Sequence, residues 1–141
     1  MEFLKAQIEG VYRTNQGFLV ALEPVAGSEI LPIFVSGGQA QSIQLGLSEE
    51  RPPRPLTHDI FLQVIEDQDL VLESVAVDDL LKGTYTAELR LARGDRIFPY
   101  DIRPSDAMAL AVRKDADIFV SEDVMERAGK RKDDLLNGTG K

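Results

Sequence analysis

The sequence predicts an α+β domain: a mixed or antiparallel β-sheet carrying about four helices, on one chain of 141 residues. Three observations carry that reading. The run Tyr85, Ala87, Leu89, Leu91 alternates with Thr84, Thr86, Glu88, Arg90, the two-residue period of a strand buried on one face. Four segments, near Ser36, Thr57, Pro104 and Ser121, pair a capping or helix-starting residue with helical apolar spacing. Finally, an apolar-Pro-apolar-x-apolar strand, a breaker-rich turn and a helix with alanine as its fourth residue occur twice. Leu31–Ala40 and Phe98–Ala107 match at an offset of 67 residues, each followed by a second capped helix. A duplicated strand–helix–helix unit would place Gln39 and Asp106 as counterparts.

The elements follow in order. Residues 3–12 and 18–23 read as two strands joined by Thr14-Asn15-Gln16-Gly17, with Gly10 breaking the alternation as a bulge would. A turn at Ala26-Gly27-Ser28 leads into the apolar strand 30–35, where Pro32 predicts an edge or a bulge. Ser36-Gly37-Gly38-Gln39 has capping-box spacing, with Ala40, Ile43 and Leu47 on one helical face. Arg51-Pro52-Pro53-Arg54-Pro55 is neither helix nor central strand, because three prolines remove donors and fix the backbone. Thr57 is read as the cap of a helix that buries Ile60, Phe61, Val64 and Ile65. Strands follow at 70–77, 84–91 and 96–102, the last two joined at Arg93-Gly94-Asp95. That tripeptide spells a cell-adhesion motif, but Gly-Asp is ordinary hairpin-turn chemistry. Pro104 sits at a first helical position, ahead of a buried stripe of Ala107, Leu110 and Ala111. A short strand at 117–120 and a Ser121-capped helix to about Gly129 complete a domain of residues 1–130. Residues 131–141 are expected to be a flexible tail.

Composition bounds the function. With 43% hydrophobic and 28% charged residues, wholesale disorder is excluded. No cysteine is present, which excludes disulfides and thiolate metal sites. The absence of an apolar stretch of membrane-spanning length and of a signal-like start points to a cytoplasmic protein without a membrane partner. Residues 1–126 hold 11 Lys/Arg against 22 Asp/Glu, whereas residues 127–141 hold five against two. So acidic a body is not built for tight, non-specific nucleic-acid binding. A transient substrate site is allowed.

Two short segments carry the chemistry. Arg54-Pro55-Leu56-Thr57-His58-Asp59 puts the single histidine one residue inside a helix start, beside a hydroxyl and a carboxylate. Asp101-Ile102-Arg103-Pro104-Ser105-Asp106-Ala107 gathers two acids, a guanidinium and a hydroxyl at a strand-to-helix turn. Each has a plainer reading. Thr57 and Asp59 would serve the helix start with His58 solvated, and an Asp–Arg bridge would lock strand to helix. No Walker loop, zinc spacing, nucleophile elbow or dinucleotide fingerprint appears.

These segments, with Leu31-Pro32-Ile33 ahead of Gln39-Ala40, resemble the bifunctional nuclease domain family of bacteria and plants over roughly residues 3–129. The Arg-Pro-Ser-Asp-Ala run is the most specific part. Many members have Glu-Ala where this chain has Gln39-Ala40, and a glutamine brings no negative charge. The resemblance implies a nuclease-type domain that hydrolyses RNA and DNA with little sequence preference. On that reading His58, Asp101 and Asp106 are catalytic, and Asp101 and Asp106 hold a divalent metal such as Mg²⁺. Arg54, Thr57, Arg103 and Ser105 bind substrate. The partners expected are nucleic acid as transient substrate and a second copy, in a homodimer or higher homo-oligomer. The competing class is a non-catalytic regulatory, ligand-binding or protein-binding module that uses the same polar turn.

Overall fold

Two three-stranded antiparallel meanders, each running into a helix, generate the architecture. In the computed structural model, which describes residues 2–136, the first comprises β1 (Phe3–Thr14), β2 (Gly17–Pro24) and β3 (Glu29–Val35), leading to α1 (Gly37–Leu47). The second comprises β4 (Val71–Leu81), β5 (Thr84–Arg93) and β6 (Arg96–Ile102), leading to α3 (Pro104–Lys114). Between them lies α2 (Thr57–Asp67). After α3 come β7 (Asp117–Ser121), α4 (Glu122–Ala128), β8 (Lys130–Arg131) and α5 (Lys132–Leu136).

The strands form one mixed eight-stranded sheet in the order β6-β5-β4-β7-β1-β2-β3-β8. Only β4 and β7 are parallel neighbours. The fold is α+β, as the sequence predicts, with five helices among the described residues against the four expected. The repeated pattern corresponds to β3–α1 and β6–α3. Gln39 and Asp106 both occupy the third helical position.

Burial explains why some strands alternate and others do not. β5 buries Ala87, Leu89 and Leu91 and leaves the residues between them more open, so one of its faces is covered. Leu19, Val20, Ala21 and Leu22 of β2 are all buried, as are Val75, Ala76 and Val77 of β4, so the sheet centre is covered on both faces. The sheet curls enough for α4 to touch both β3 and β4, although β7, β1 and β2 lie between them. The bulge expected at Gly10 is a register shift between Ile8 and Gly10. A Cβ there would meet the Tyr12 ring at 2.9 Å, so glycine lets that ring fold back across the strand.

Several local expectations need correction. β4 runs on to Leu81, past the expected end near Val77, because Lys82 and Gly83 make a two-residue hairpin with φ of 52° and 80°. Thr57 is the first helical residue of α2 and not its cap. Leu56 holds the cap position, and Asp59 closes the turn by accepting the Leu56 N–H at 2.8 Å. The buried face of the helix matches the expected one only in part. Leu62 and Ile65 are buried, while Ile60 and Val64 are 45% and 54% exposed. Leu47, at the end of α1, is also exposed. At the C-terminal end, β8 pairs with Glu29–Ile30 of β3 and Lys132 bridges Glu9 at 3.0 Å. The structure therefore describes the first part of the expected tail as strand and helix. Its last residues, 137–141, lie outside the described residues.

Candidate active site

The site grows from three helix segments: α1 packs on β2 and α3, and α2 and α3 meet β5 and β6 around one cavity. α1 and α3 approach closely because residue 46 is glycine: a Cβ there would stand 2.4 Å from Val112 Cγ2 and 2.9 Å from Arg113 Nη1. At that crossing the Arg113 side chain, only 8% exposed, reaches across from α3. Its Nη1 donates to the Ser42 carbonyl at 3.0 Å and the Ala109 carbonyl at 2.7 Å. Its Nη2 donates to Ser42 Oγ at 3.2 Å, and its Nε to Asp59 Oδ1 at 2.8 Å. One guanidinium thus ties α1, α2 and α3 together. Burial pushes the Asp59 carboxyl up, but the Leu56 N–H and the Arg113 cation outweigh it and hold the group below its usual range.

From Ser42 the network turns outward. Ser42 Oγ lies 2.7 Å from His58 Nδ1, and His58 Nε2 lies 2.9 Å from Asp106 Oδ1. Arg103 Nε donates to Asp106 Oδ2 at 3.1 Å. Because Arg113 donates to Ser42 Oγ, the hydroxyl proton is free to point at Nδ1. With Ser42 donating to Nδ1, the Nε2–H of His58 donates to Asp106 Oδ1. Exposure rises along the chain of contacts, from 8% at Arg113 through 19% at His58 and 28% at Asp106 to 74% at Arg103. The inner end is a fixed frame and the outer end meets solvent.

The outer end opens on a cavity of about 620 Å³. Thr57 and His58 from the start of α2, Asp101 and Arg103 from the end of β6, and Asp106 from the start of α3 make its polar side. Its apolar side comes from farther along the helices, with Phe61, Ile65 and Leu110, and from the sheet, with Leu89, Leu91, Tyr100 and Ile102. Tyr100 stands opposite Leu89 in the β5–β6 ladder, and Ile102 opposite Ala87. Both therefore share the buried face of β5.

Of the residues singled out from sequence, His58, Asp101, Asp106, Arg103 and Thr57 come together around this cavity. Two do not. Ser105 is 7% exposed, packed beneath the first turn of α3 and absent from the cavity wall, because the second helical position points back into the core. Arg54 is exposed on the proline-rich loop and lies outside the cavity lining. Gln39 is used locally: its Oε1 accepts the Ser36 N–H at 2.8 Å to complete the capping box of α1. Sequence reasoning missed Ser42 and Arg113. A signal did exist for Ser42, a hydroxyl beside the buried Ile43 and four residues ahead of a helical glycine. Arg113 looked like an ordinary basic residue of a last helical turn.

Asp101 and Asp106, the pair expected to hold a divalent cation, both line the cavity. Asp106 has each carboxylate oxygen engaged by a donor, and one of those donors is a guanidinium. Among the described residues, no three His, Asp or Glu side chains are grouped as metal ligands. Nor is any helix there long and apolar enough to cross a membrane.

Two uncharacterized proteins of Mycobacterium tuberculosis, MT1877 of strain CDC 1551 / Oshkosh and Rv1829 of strain ATCC 25618 / H37Rv, are each 37% identical to the chain over 115 residues. The alignment covers 82% of this chain and 68% of each relative. The family model for the bifunctional nuclease domain matches residues 20–133, a span that includes α1, α2, α3 and every member of the polar network. The chain belongs to the bifunctional nuclease domain family.

Proposed function

We propose that the protein is a nuclease-type phosphodiester hydrolase acting on RNA and DNA with low sequence specificity. The observation that carries this reading is the relay Ser42–His58–Asp106–Arg103, which is anchored inside by Arg113 and ends at an open cavity. Membership of the family supplies the reaction class. The cavity-facing carboxylate of Asp106 takes a proton from the attacking water as the new P–O bond forms and the bond to the departing oxygen breaks. The departing oxygen is protonated from solvent. His58, held on both ring nitrogens, keeps Asp106 aimed at the water. Arg103 uses only Nε on Asp106, so its Nη groups remain to neutralise the non-bridging phosphoryl oxygens. Asp101, on the same wall, is placed to orient the water or a ribose hydroxyl.

A second reading, a ligand-binding module without catalysis, draws on one observation. Every heteroatom of the His58 and Asp106 side chains already has a protein partner. The discriminating experiment is cleavage of end-labelled RNA and DNA oligonucleotides by the purified protein, with His58→Gln beside it to expose contaminating nucleases. Cleavage that His58→Gln removes, and that EDTA leaves in place, is the expected result. Equal cleavage by wild type and His58→Gln would assign the activity to a contaminant. Loss in EDTA with recovery on adding Mg²⁺ would restore the metal route.

A further inference from the structure

We infer that the apolar half of the cavity is a subsite for one unstacked nucleobase, which makes single-stranded nucleic acid the substrate class; this rests on the nuclease reading above. The cavity is divided by chemistry. Its polar residues all come from the first turns of α2 and α3 and the end of β6, whereas Phe61, Ile65, Leu70, Leu89, Leu91 and Leu110 form an apolar wall beside them. Phosphodiester cleavage at Asp106 and Arg103 needs only the polar side. The volume of about 620 Å³ falls within the roughly 300–1,000 Å³ of small-molecule sites, ample for a base with its sugar.

Two aromatic rings line this space from opposite elements, Phe61 on α2 and Tyr100 on β6. Tyr100 is half exposed although its strand neighbours across the ladder, Leu89 and Leu91, are buried. A half-exposed ring at the mouth of an apolar hollow, beside a guanidinium with open Nη groups, matches what a nucleotide presents: a flat apolar face joined to an anion. A base within a duplex has both faces stacked and its pairing edge occupied, so it cannot enter. The net charge of −8 works in the same direction, since a duplex concentrates more phosphate charge per length than a single strand. Among the residues of the apolar wall only Tyr100 carries a polar group, its hydroxyl, so little is there to read base edges. This accounts for low sequence preference.

The test is fluorescence anisotropy with a labelled, cleavage-resistant phosphorothioate oligonucleotide, single-stranded or annealed to its complement, on the wild type and Tyr100→Ala. The single strand should bind at least tenfold tighter than the duplex, and Tyr100→Ala should weaken single-strand binding about tenfold at an unchanged melting temperature. Equal affinity for both forms, or unaltered binding by a natively stable Tyr100→Ala, overturns the subsite. Should Tyr100→Ala prove unstable, Tyr100→Phe decides: it keeps the ring, so near-wild-type binding is expected, and a tenfold loss would assign the effect to the hydroxyl and reject stacking. The failures are separable. Tyr100-dependent single-strand binding without cleavage of natural oligonucleotides removes the nuclease reading and leaves the subsite. Duplex cleavage as fast as single-strand cleavage removes the subsite and leaves the nuclease.

Discussion

Replacing Gly46 by alanine probes the contact on which the site is built. The new Cβ would sit 2.4 Å from Val112 Cγ2, where carbon atoms prefer about 3.5–4.0 Å. Valine in a helix is largely confined to one rotamer, so the methyl cannot simply swing away. The helices must separate by about 1 Å, and overpacking of this kind costs roughly 1–3 kcal/mol. Alanine returns at most about 1 kcal/mol through its better helix propensity. So short a contact belongs in the upper half of the overpacking range, roughly 2–3 kcal/mol, which leaves a net loss of roughly 1–2 kcal/mol and, for a chain of this size, lowers the melting temperature by about 3–8 °C. The same Cβ lies 2.9 Å from Arg113 Nη1, so the guanidinium is pushed from the Ser42 carbonyl and the frame behind His58 loosens. Thermal and urea unfolding followed by circular dichroism measure the first effect, and cleavage rate measures the second. A Gly46→Ala protein as stable as the wild type, or more stable, would refute the close-crossing argument.

Other consequences are equally direct. The Tyr12 hydroxyl donates to Glu9 at 2.5 Å, and this bond, helped by burial and the negative charge, pushes the phenol up to about 12. Its folded value exceeds the ordinary one near 10, so the stability it brings is present below about pH 10 and is lost as pH rises toward 12. Ultraviolet titration should show a late-ionising tyrosine that Tyr12→Phe removes, and an ordinary midpoint would contradict the Glu9 bond. Asp59 shifts the other way. Its lowered folded value means that its stability is present above about pH 4 and is lost as pH falls through the folded value. Asp59→Asn should therefore be less stable at neutral pH and show a flatter acid limb in urea titrations, and an unchanged limb would argue against the pairing with Arg113. A homodimer is the expected assembly. A monomer by light scattering at tens of micromolar would reject it.

Local periodicity made most of the sheet legible, because β5, β6 and the turns around them follow simple alternation and breaker chemistry. Pro104 announced α3, and the repeated strand–turn–helix pattern located Gln39 and Asp106 at equivalent helical positions. The clustering of His58 with Asp106 was suggested by the family resemblance, since 48 positions separate them and no local pattern encodes that contact. What sequence could not supply was the full buried face of α2. Leu56 becomes the cap, with Asp59 accepting its N–H, and α2 buries Leu62 beside the expected Ile65 while Ile60 and Val64 stay exposed. The inner half of the network was hidden as well. Arg113 is buried only because a glycine 67 positions earlier lets two helices approach, and pairwise tertiary fit of that kind leaves no periodic trace.

The most direct test of the central claim, that Asp106 is a working carboxylate, is the cleavage rate of purified Asp106→Asn against the wild type, with both melting temperatures measured. Asparagine keeps one carbonyl oxygen to accept from His58 or Arg103, turns its NH2 toward the other, and serves a helix start about as well. A role limited to the helix start would therefore survive the change largely intact, whereas a structural bridge would not. As the acceptor of the water proton, an amide is useless. The expected result is a nearly unmoved melting temperature with cleavage reduced at least a hundredfold, in line with the roughly 10²–10⁴ supplied by general acid–base groups. A well-folded Asp106→Asn protein that cleaves at the wild-type rate would contradict the assignment, and a large fall in stability would recast the Arg103–Asp106–His58 chain as architecture.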